Sequence, residues 1–252
     1  NTLGIGGRAA YVAEPSNALE LNKVIQFCNG KAIPYAVVGA GSNCLFIRDY
    51  YPGCIIRMIR YDNDLFESAE NHVIISAGMS NAKAVRLCAD NSLGGIEFLA
   101  SIPGTVGGAV AMNAGCRDVL GGTDCEIGTF VNRVWVWKGN AEVEKSAAEM
   151  HFGYRSSSLK GMIVIRVELR LFPRETHDGL ERIRRGWENK AHVFYQGMKT
   201  LGSVFKNPPD RDCAAGWLLE QAGVKGREFG NVRFSPAHAN VLENLGTGTT
   251  AE

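Results

Sequence analysis

The chain has 252 residues, 45% hydrophobic and 21% charged, enough for one large or two modest domains with real cores and too apolar for a disordered segment. Its 27 basic and 26 acidic residues leave a formal charge of +1, which excludes the electrostatic footprint of a nucleic-acid or anionic-membrane binder. Thirty glycines without a collagen-like period exceed ordinary usage of about 7% and point to turns and close main-chain approaches.

Asn17-Ala-Leu-Glu20 reads as a capping box, and Leu21, Val24, Ile25 and Cys28 follow at helical spacing until Asn29-Gly30 stops the run. Apolar runs at Tyr35–Val38, Cys44–Ile47, Cys54–Ile59 and Val73–Ala77, bounded by Gly, Pro, Asn or Asp, predict strands. Ser80 opens a second helix that carries Val85, Leu87 and Cys88 and ends near Gly94-Gly95. No charge occurs from Phe98 to Cys116, but Pro103 and four glycines interrupt the stretch and no basic anchors flank it. The expectation is a buried loop and not a membrane span. Val131–Trp137 is β-prone, Gly139-Asn140 can fold it back as a hairpin, and Trp135 and Trp137 share one face as sheet packing. Met162–Phe172 sets Ile165, Val167, Leu169 and Leu171 against Arg166, Glu168 and Arg170, the pattern of a half-exposed strand, and is expected to close the first domain.

The polar Pro173–Asp178 stretch marks a domain boundary, followed by a helix with Leu180, Ile183 and Trp187 on one face. Arg182, Arg184, Arg185 and Lys190 read as its solvated face. A last helix is predicted from about Asp212 through Ala215, Leu218 and Leu219 to Gly223, then short apolar segments at Val232–Phe234 and Ala239–Leu242. The seven cysteines are odd in number and nowhere closer than nine positions, so neither a disulfide framework nor CxxC spacing is present, and a reducing cytoplasm fits. His72, His151, His177, His192 and His238 show no metal spacing, and no GxSxG elbow appears. No signal peptide is seen, and Asn1 stands within what reads as folded sequence, so a trimmed start is expected.

Gly39-Ala-Gly-Ser-Asn43 follows a strand, with Asp62 about twenty residues on, and so looks like the start of a dinucleotide fingerprint. The third glycine position is Cys44, however, and no helix follows; the P-loop GK[ST] is absent too. What remains is either a nest of main-chain N–H groups able to hold a diphosphate or an ordinary glycine turn. Ile102-Pro-Gly-Thr-Val-Gly-Gly-Ala109, running on to Met112-Asn-Ala-Gly115, is a second uncharged segment of small residues. Two such loops favour a bound dinucleotide over two tight turns. Tyr154-Arg155-Ser156 and Gly202-Ser-Val-Phe-Lys-Asn-Pro208 add a planar guanidinium, a hydroxyl and donors for a polar ligand, although from spacing alone a surface arginine and a turn serine are the favoured explanations.

Taken together these segments resemble the UDP-N-acetylenolpyruvoylglucosamine reductases, over nearly the whole chain. Asn1–Gly7 resembles the family's opening, Val38–Asn43 its first flavin loop and Gly95–Gly115 its second. Tyr154-Arg155, Gly202–Pro208, Gly223–Gly226 and His238-Ala-Asn240 follow in the family's order. The extra tyrosine-bearing loop of one branch is not seen, which resembles the second, shorter type. The resemblance implies an α+β protein. An FAD domain of the vanillyl-alcohol-oxidase type occupies 1–172, with subdomains about 1–60 and 61–172, and a substrate domain occupies 173–252. It implies non-covalent FAD held by Gly39, Ala40, Gly41, Ser42 and Asn43 and by Ser101, Ile102, Pro103, Gly104, Thr105, Gly107, Gly108 and Asn113.

NADPH would reduce the flavin and leave before the enolpyruvyl sugar takes hydride, in peptidoglycan precursor synthesis. Arg155 matches the arginine that polarises the substrate carboxylate, Ser203 the serine acting as general acid, and Asn207, Tyr154 and Lys206 substrate-holding positions. A cytoplasmic monomer without metal, membrane or nucleic acid is the corresponding expectation. The family's further catalytic glutamate would lie beyond Glu252, so either the terminal segment is cut away or this copy lacks part of its acid machinery. Two alternatives remain at this level. One is an FAD-dependent sugar or alcohol oxidase of the same cofactor fold, although no histidine stands in either loop for a covalent tether. The other is a homologue that binds flavin or nucleotide sugar without turnover.

Overall fold

The structure is a computed structural model that describes residues 1–117, 124–209 and 213–252, the side chain of Arg117 excepted. The first half contains β1 (Arg8–Ala13), α1 (Ala18–Gly30), β2 (Tyr35–Val38), β3 (Tyr50–Arg57), β4 (Phe66–Ala69), β5 (His72–Ser76), α2 (Asn81–Asp90), β6 (Leu93–Gly94), α3 (Val106–Ala111), β7 (Gly115–Arg117) and β8 (Asp124–Glu126). The second contains β9 (Val131–Lys138), β10 (Ala141–Ser146), β11 (Phe152–Gly153), β12 (Ser156–Ser157), β13 (Ile163–Arg170), β14 (Phe172–Pro173), α4 (Thr176–Ala191), α5 (Ala215–Gln221), β15 (Glu228–Phe229), β16 (Val232–Phe234) and β17 (Leu242–Asn244). The order is α+β, as expected. Two compact units result: Tyr11–Ala40 with Gly53–Asn189, and Asn1–Ala10 with Gly41–Pro52 and Lys190–Glu252. Both units are discontinuous in sequence, and the last passage of the chain from one to the other falls at Lys190, in the final turn of α4.

In the larger unit α1 starts where the capping signal puts it: the Asn17 side chain accepts from the Glu20 N–H. The Glu20 carboxylate reaches one residue further back than a capping box requires, to the N–H and hydroxyl of Ser16, both at 2.8 Å. Leu21, Ile25 and Cys28 are its buried face. β2 pairs in parallel with β3 from Tyr35–Cys54 to Val38–Arg57. An antiparallel sheet of order β10-β9-β13-β5-β4 forms the centre of this unit, with β10 and β4 at its edges. The predicted hairpin is present, Lys138 pairing with Ala141 around Gly139-Asn140, and Gly139 takes a φ of +65° that suits its lack of a Cβ.

β13 is not half-exposed. Its pairing with β9 jumps between Val164 and Arg166, so Ile165 is an extra residue that reverses the alternation. Ile163 and Ile165 pack with Leu21, Ile25, Cys54 and Trp135, whereas Val164, Val167 and Leu169 pack with the α2 and α3 residues Val85, Cys88, Val106 and Val110. The strand is central and buried on both faces. Even Glu168 is only 4% exposed, bound by the Arg133 guanidinium at 2.7 and 2.8 Å and by Asn132. The Arg133 hydrogen bond is the main force holding the Glu168 carboxyl below the ordinary carboxylate range. Trp135 lies between the guanidinium groups of Arg166 and Arg133, 4.4 and 5.4 Å from its ring centroid, which accords with a packing role.

Three further expectations are corrected. Cys44–Ile47 is irregular; Leu45 and Ile47 are exposed, and the Cys44 carbonyl accepts from the Asn1 side chain at 2.9 Å. The uncharged Phe98–Cys116 stretch is not all loop, because a 3-10 turn at Glu97–Ser101 and the short helix α3 lie within it. The packed face of α4 comprises Gly179, Ile183 and Gly186; Ile183 is the predicted contact that packs on the core, whereas Trp187 is 51% exposed. A Cβ on Gly179 would stand 3.2 Å from that of Ala89, so glycine admits the helix backbone close to α2. The basic residues of α4 are a solvated face, Arg184 and Arg185 pairing with Glu181 and Arg182 with Asp178. The predicted start of the last helix at Asp212 lies outside the described residues; α5 is seen from Ala215.

In the smaller unit Leu3, Ile5 and Val232 form a local core with Leu201, and the buried Asn244 side chain donates to the Leu3 carbonyl at 3.0 Å. The chain's first residues are thus held by β16 and β17, which pair antiparallel with each other, β15 flanking β16 on its other side.

Candidate active site

The second predicted flavin loop is seated by main-chain bonds. Val106 N–H donates to the Met79 carbonyl at 2.9 Å and Gly107 N–H to Ala77 at 3.0 Å, where a Cβ on Gly107 would approach that of Ala77 to 2.7 Å. From the start of α2 the buried Asn81 donates its N–H to the Gly104 carbonyl at 3.1 Å and its side-chain amide to the Ile102 carbonyl at 2.9 Å. Gly104 has a φ of +145°, a backbone conformation that L side chains rarely adopt. Thr105, 3% exposed, caps α3 by accepting from the Gly108 N–H at 3.4 Å. Ser101 is buried and turned toward the Phe98 carbonyl, while Pro103 is exposed.

The first loop comes to this same place. A Cβ on Gly39 would overlap Thr105 Oγ1, so the main chain leaving β2 lies directly on the cap of α3. Ala40 continues it; Gly41 turns at a φ of +73° with a built Cβ 3.2 Å from Asn1 Cα, followed by Ser42 and Asn43. Neither loop carries a charged side chain. Small uncharged residues that let main chain come close suit a diphosphate-bearing cofactor, and Gly39 is one such point, with no room for a side chain against Thr105.

Tyr154 and Arg155 are the two central residues of the β11–β12 hairpin, between the paired Gly153 and Ser156. Arg155 has a φ of +52°, strained for an arginine. Its guanidinium donates to the Gly115 carbonyl at 2.6 Å, lies 3.6 Å from Glu126 Oε1, and stands 5.0 Å from the centroid of the exposed Tyr154 ring. Asn113, expected among the cofactor contacts, is 1% exposed. Its side chain is engaged within the protein, donating to Glu126 and the Gly153 carbonyl and accepting from Gly128 N–H.

In the smaller unit a cavity of about 360 Å³ is lined by Ser203, Asn207, Trp217, Glu220, His238 and Asn240 among others. Ser203 is exposed and bridges to Val241, directly after Gly202 with its φ of +78°. The buried Asn240 clasps this segment: its Oδ1 accepts from Phe205 N–H and its Nδ2 donates to the Phe205 carbonyl, both at 2.9 Å. His238 Nδ1 accepts from the Asn240 N–H at 3.1 Å, which fixes it as the unprotonated ring nitrogen in this arrangement. Asn207 Oδ1 accepts from Ala215 N–H at the start of α5, so this predicted substrate residue also caps a helix. Lys206 is exposed beside it.

A family profile for an FAD binding domain matches residues 9–134, and one for the UDP-N-acetylenolpyruvoylglucosamine reductase C-terminal domain matches 194–252. The reductase of that name from Geobacter metallireducens is 33% identical over 256 residues, covering 100% of this chain and 81% of the relative. That from Caldicellulosiruptor bescii is 35% identical, covering 97% of this chain and 76% of the relative. The chain belongs to the UDP-N-acetylenolpyruvoylglucosamine reductase family. The crystal structure of the Thermus caldophilus reductase superposes with a TM-score of 0.81 at 31% identity, covering 100% of this chain and 87% of the other.

For a UDP-N-acetylenolpyruvoylglucosamine reductase family member, sequence reasoning overlooked Glu126, Trp217 and Glu220. Glu126 sits on a three-residue strand with no periodicity of its own, and only its pairing opposite Gly115 brings it to the Arg155 hairpin. Trp217 and Glu220 lie on one side of α5, a helix whose residues read as core from their spacing alone. Among the described residues no group of three or more His, Cys, Asp or Glu could hold a metal ion, and no helix is long and apolar enough to cross a membrane.

Proposed function

We propose that this protein reduces the enolpyruvyl group of UDP-N-acetylenolpyruvoylglucosamine to UDP-N-acetylmuramate at the expense of NADPH, a step of peptidoglycan precursor synthesis in the cytoplasm, and that it acts as a monomer. The observation that carries this reading is family identity along the whole chain, at 33% over 100% of its length. Residues 1–172 are assigned to FAD and 173–252 to substrate. Gly39, Ala40, Gly41, Ser42 and Asn43 with Ser101, Ile102, Pro103, Gly104, Thr105, Gly107 and Gly108 would hold FAD, largely through main chain; Asn113 contributes through its backbone or its neighbours, given its internally bonded amide. Bound FAD supplies the two-electron carrier between NADPH and the enolpyruvyl double bond.

Reduction of an alkene conjugated with a carboxylate places developing negative charge on that carboxylate. Arg155, already oriented by a carbonyl and a carboxylate, takes the substrate carboxylate and stabilises that charge. Ser203 Oγ donates the proton to the carbon next to it, a task for which a weakly acidic hydroxyl suffices only because the carbon becomes strongly basic. Asn207, Tyr154 and Lys206 orient the sugar nucleotide. The purified protein is expected to be yellow, to be bleached by NADPH and to recover its colour on addition of the enolpyruvyl sugar. A colourless chain unable to take up FAD would end this reading.

A further inference from the structure

We infer that Glu126 and Asn113 are positioning residues that hold the Arg155 guanidinium in a single orientation before substrate arrives. The inference rests on the reading of Arg155 as the carboxylate-binding group. Arg155 occupies a left-handed turn position, φ +52°, that persists in a non-glycine residue only where the surroundings impose it. The imposing contacts converge on one buried amide. Asn113, 1% exposed, donates one N–H to the Gly153 carbonyl at the base of the turn, at 3.0 Å, and the other to Glu126 Oε2 at 2.7 Å. Its oxygen accepts from Gly128 N–H at 2.9 Å. Residue 128 must be glycine for this, since a Cβ there would come within 2.6 Å of Phe152 and 2.7 Å of that same oxygen.

The second carboxylate oxygen of Glu126 lies 3.6 Å from Arg155 Nη1, and Gly115, opposite Glu126 in the β7–β8 pair, offers its carbonyl to Arg155 Nη2 at 2.6 Å. One amide therefore fixes both the turn that carries the arginine and the anion beside its guanidinium. Such bracing removes side-chain freedom in advance, so that the substrate carboxylate does not have to immobilise a swinging arginine.

The test uses the full-length flavin-loaded protein in four forms: wild type, Glu126→Ala, Arg155→Ala and the double variant, with Glu126→Gln as the conservative control. Two readouts are taken: calorimetric binding of UDP-N-acetylmuramate and the separate rates of flavin reduction by NADPH and reoxidation by substrate. Glu126→Ala is expected to weaken binding and slow reoxidation about tenfold each, leaving reduction by NADPH within about twofold. Glu126→Gln should recover part of the loss, because its amide oxygen can still accept from Asn113. In the Arg155→Ala background the Glu126→Ala change should add nothing. Should Glu126→Ala not fold, Glu126→Gln in the two Arg155 backgrounds carries the same cycle. Equal losses with and without Arg155, or variants indistinguishable from a working wild type, overturn this inference alone. A wild type whose flavin NADPH does not bleach overturns the functional reading and this inference with it.

Discussion

Thr105 is 3% exposed and has the main chain of Gly39 laid against its hydroxyl, whereas Ser203 stands open at the rim of a cavity on a segment clasped by one buried amide. Of the two loops proposed to hold flavin, the second is seated by main-chain bonds and the first lies against Thr105, with glycines where a single added carbon would collide. The Gly202–Pro208 segment presents side chains and depends on Asn240 for its place. A cofactor present in every turnover suits a rigid site defined by what is missing from the side chains. A substrate that enters and leaves would suit exposed polar groups on an irregular segment tied at a few points, to Asn240, Val241 and the Ala215 N–H. Damage should differ accordingly: to flavin retention in the first region, to chemistry in the second.

Four substitutions probe that contrast, in descending order of effect. Ser203→Ala is expected to slow reoxidation of the flavin by substrate by about 10²–10⁴-fold, the usual contribution of a general acid, with flavin content and reduction by NADPH unchanged. Stopped-flow measurement of the half-reactions checks it, and equal loss in both rejects the acid role. Gly39→Ala should do the opposite, costing about 1–3 kcal/mol through overpacking against Thr105 and lowering the ratio of flavin to protein absorbance. Full flavin retention with an unchanged melting temperature would show that the loops yield where they look rigid. Asn240→Ala removes both Phe205 bonds; about 1–2 kcal/mol of stability and part of the reoxidation rate should be lost together, as urea unfolding and kinetics can show.

Glu168→Gln is the mildest for function and should leave both half-reactions alone, its effect falling on stability. Because the native Glu168 carboxyl titrates below its ordinary value of 4.5, its contribution is complete above that value and disappears as pH falls through the native one. Stability of the variant should therefore depend less on pH below about 4.5, measured by thermal unfolding across an acid series.

Local signals carried far in this chain. Asn17 and Ser80 cap the helices they announce, and Gly139-Asn140 turns the hairpin. What stayed hidden depends on partners distant in sequence. The apolar run Cys44–Ile47 has strand character, but its Cys44 carbonyl bonds to Asn1 and not to a ladder. Alternation from Met162 to Phe172 cannot reveal a bulge at Ile165, since the extra residue is defined only against β9. Glycines 179 and 186 carry no apolar signal, yet with Ile183 they make the face on which α4 packs. In the candidate site Arg155 and Ser203 could be singled out by motif resemblance; the hydrogen bond between Asn113 and Glu126 could not be read, because its members are 13 residues apart across segments without periodicity.

The central sheet is open at both ends, and β10 shows how an open rim is made safe. Glu142, Glu144 and Lys145 stand along this outer strand, Glu142 tied inward to Arg166 at 2.9 Å. Any extended segment approaching that rim would have to strip water from a row of fixed charges before gaining its first main-chain bond. The charges on Glu142, Glu144 and Lys145 thus oppose edge-to-edge pairing of this strand with another copy.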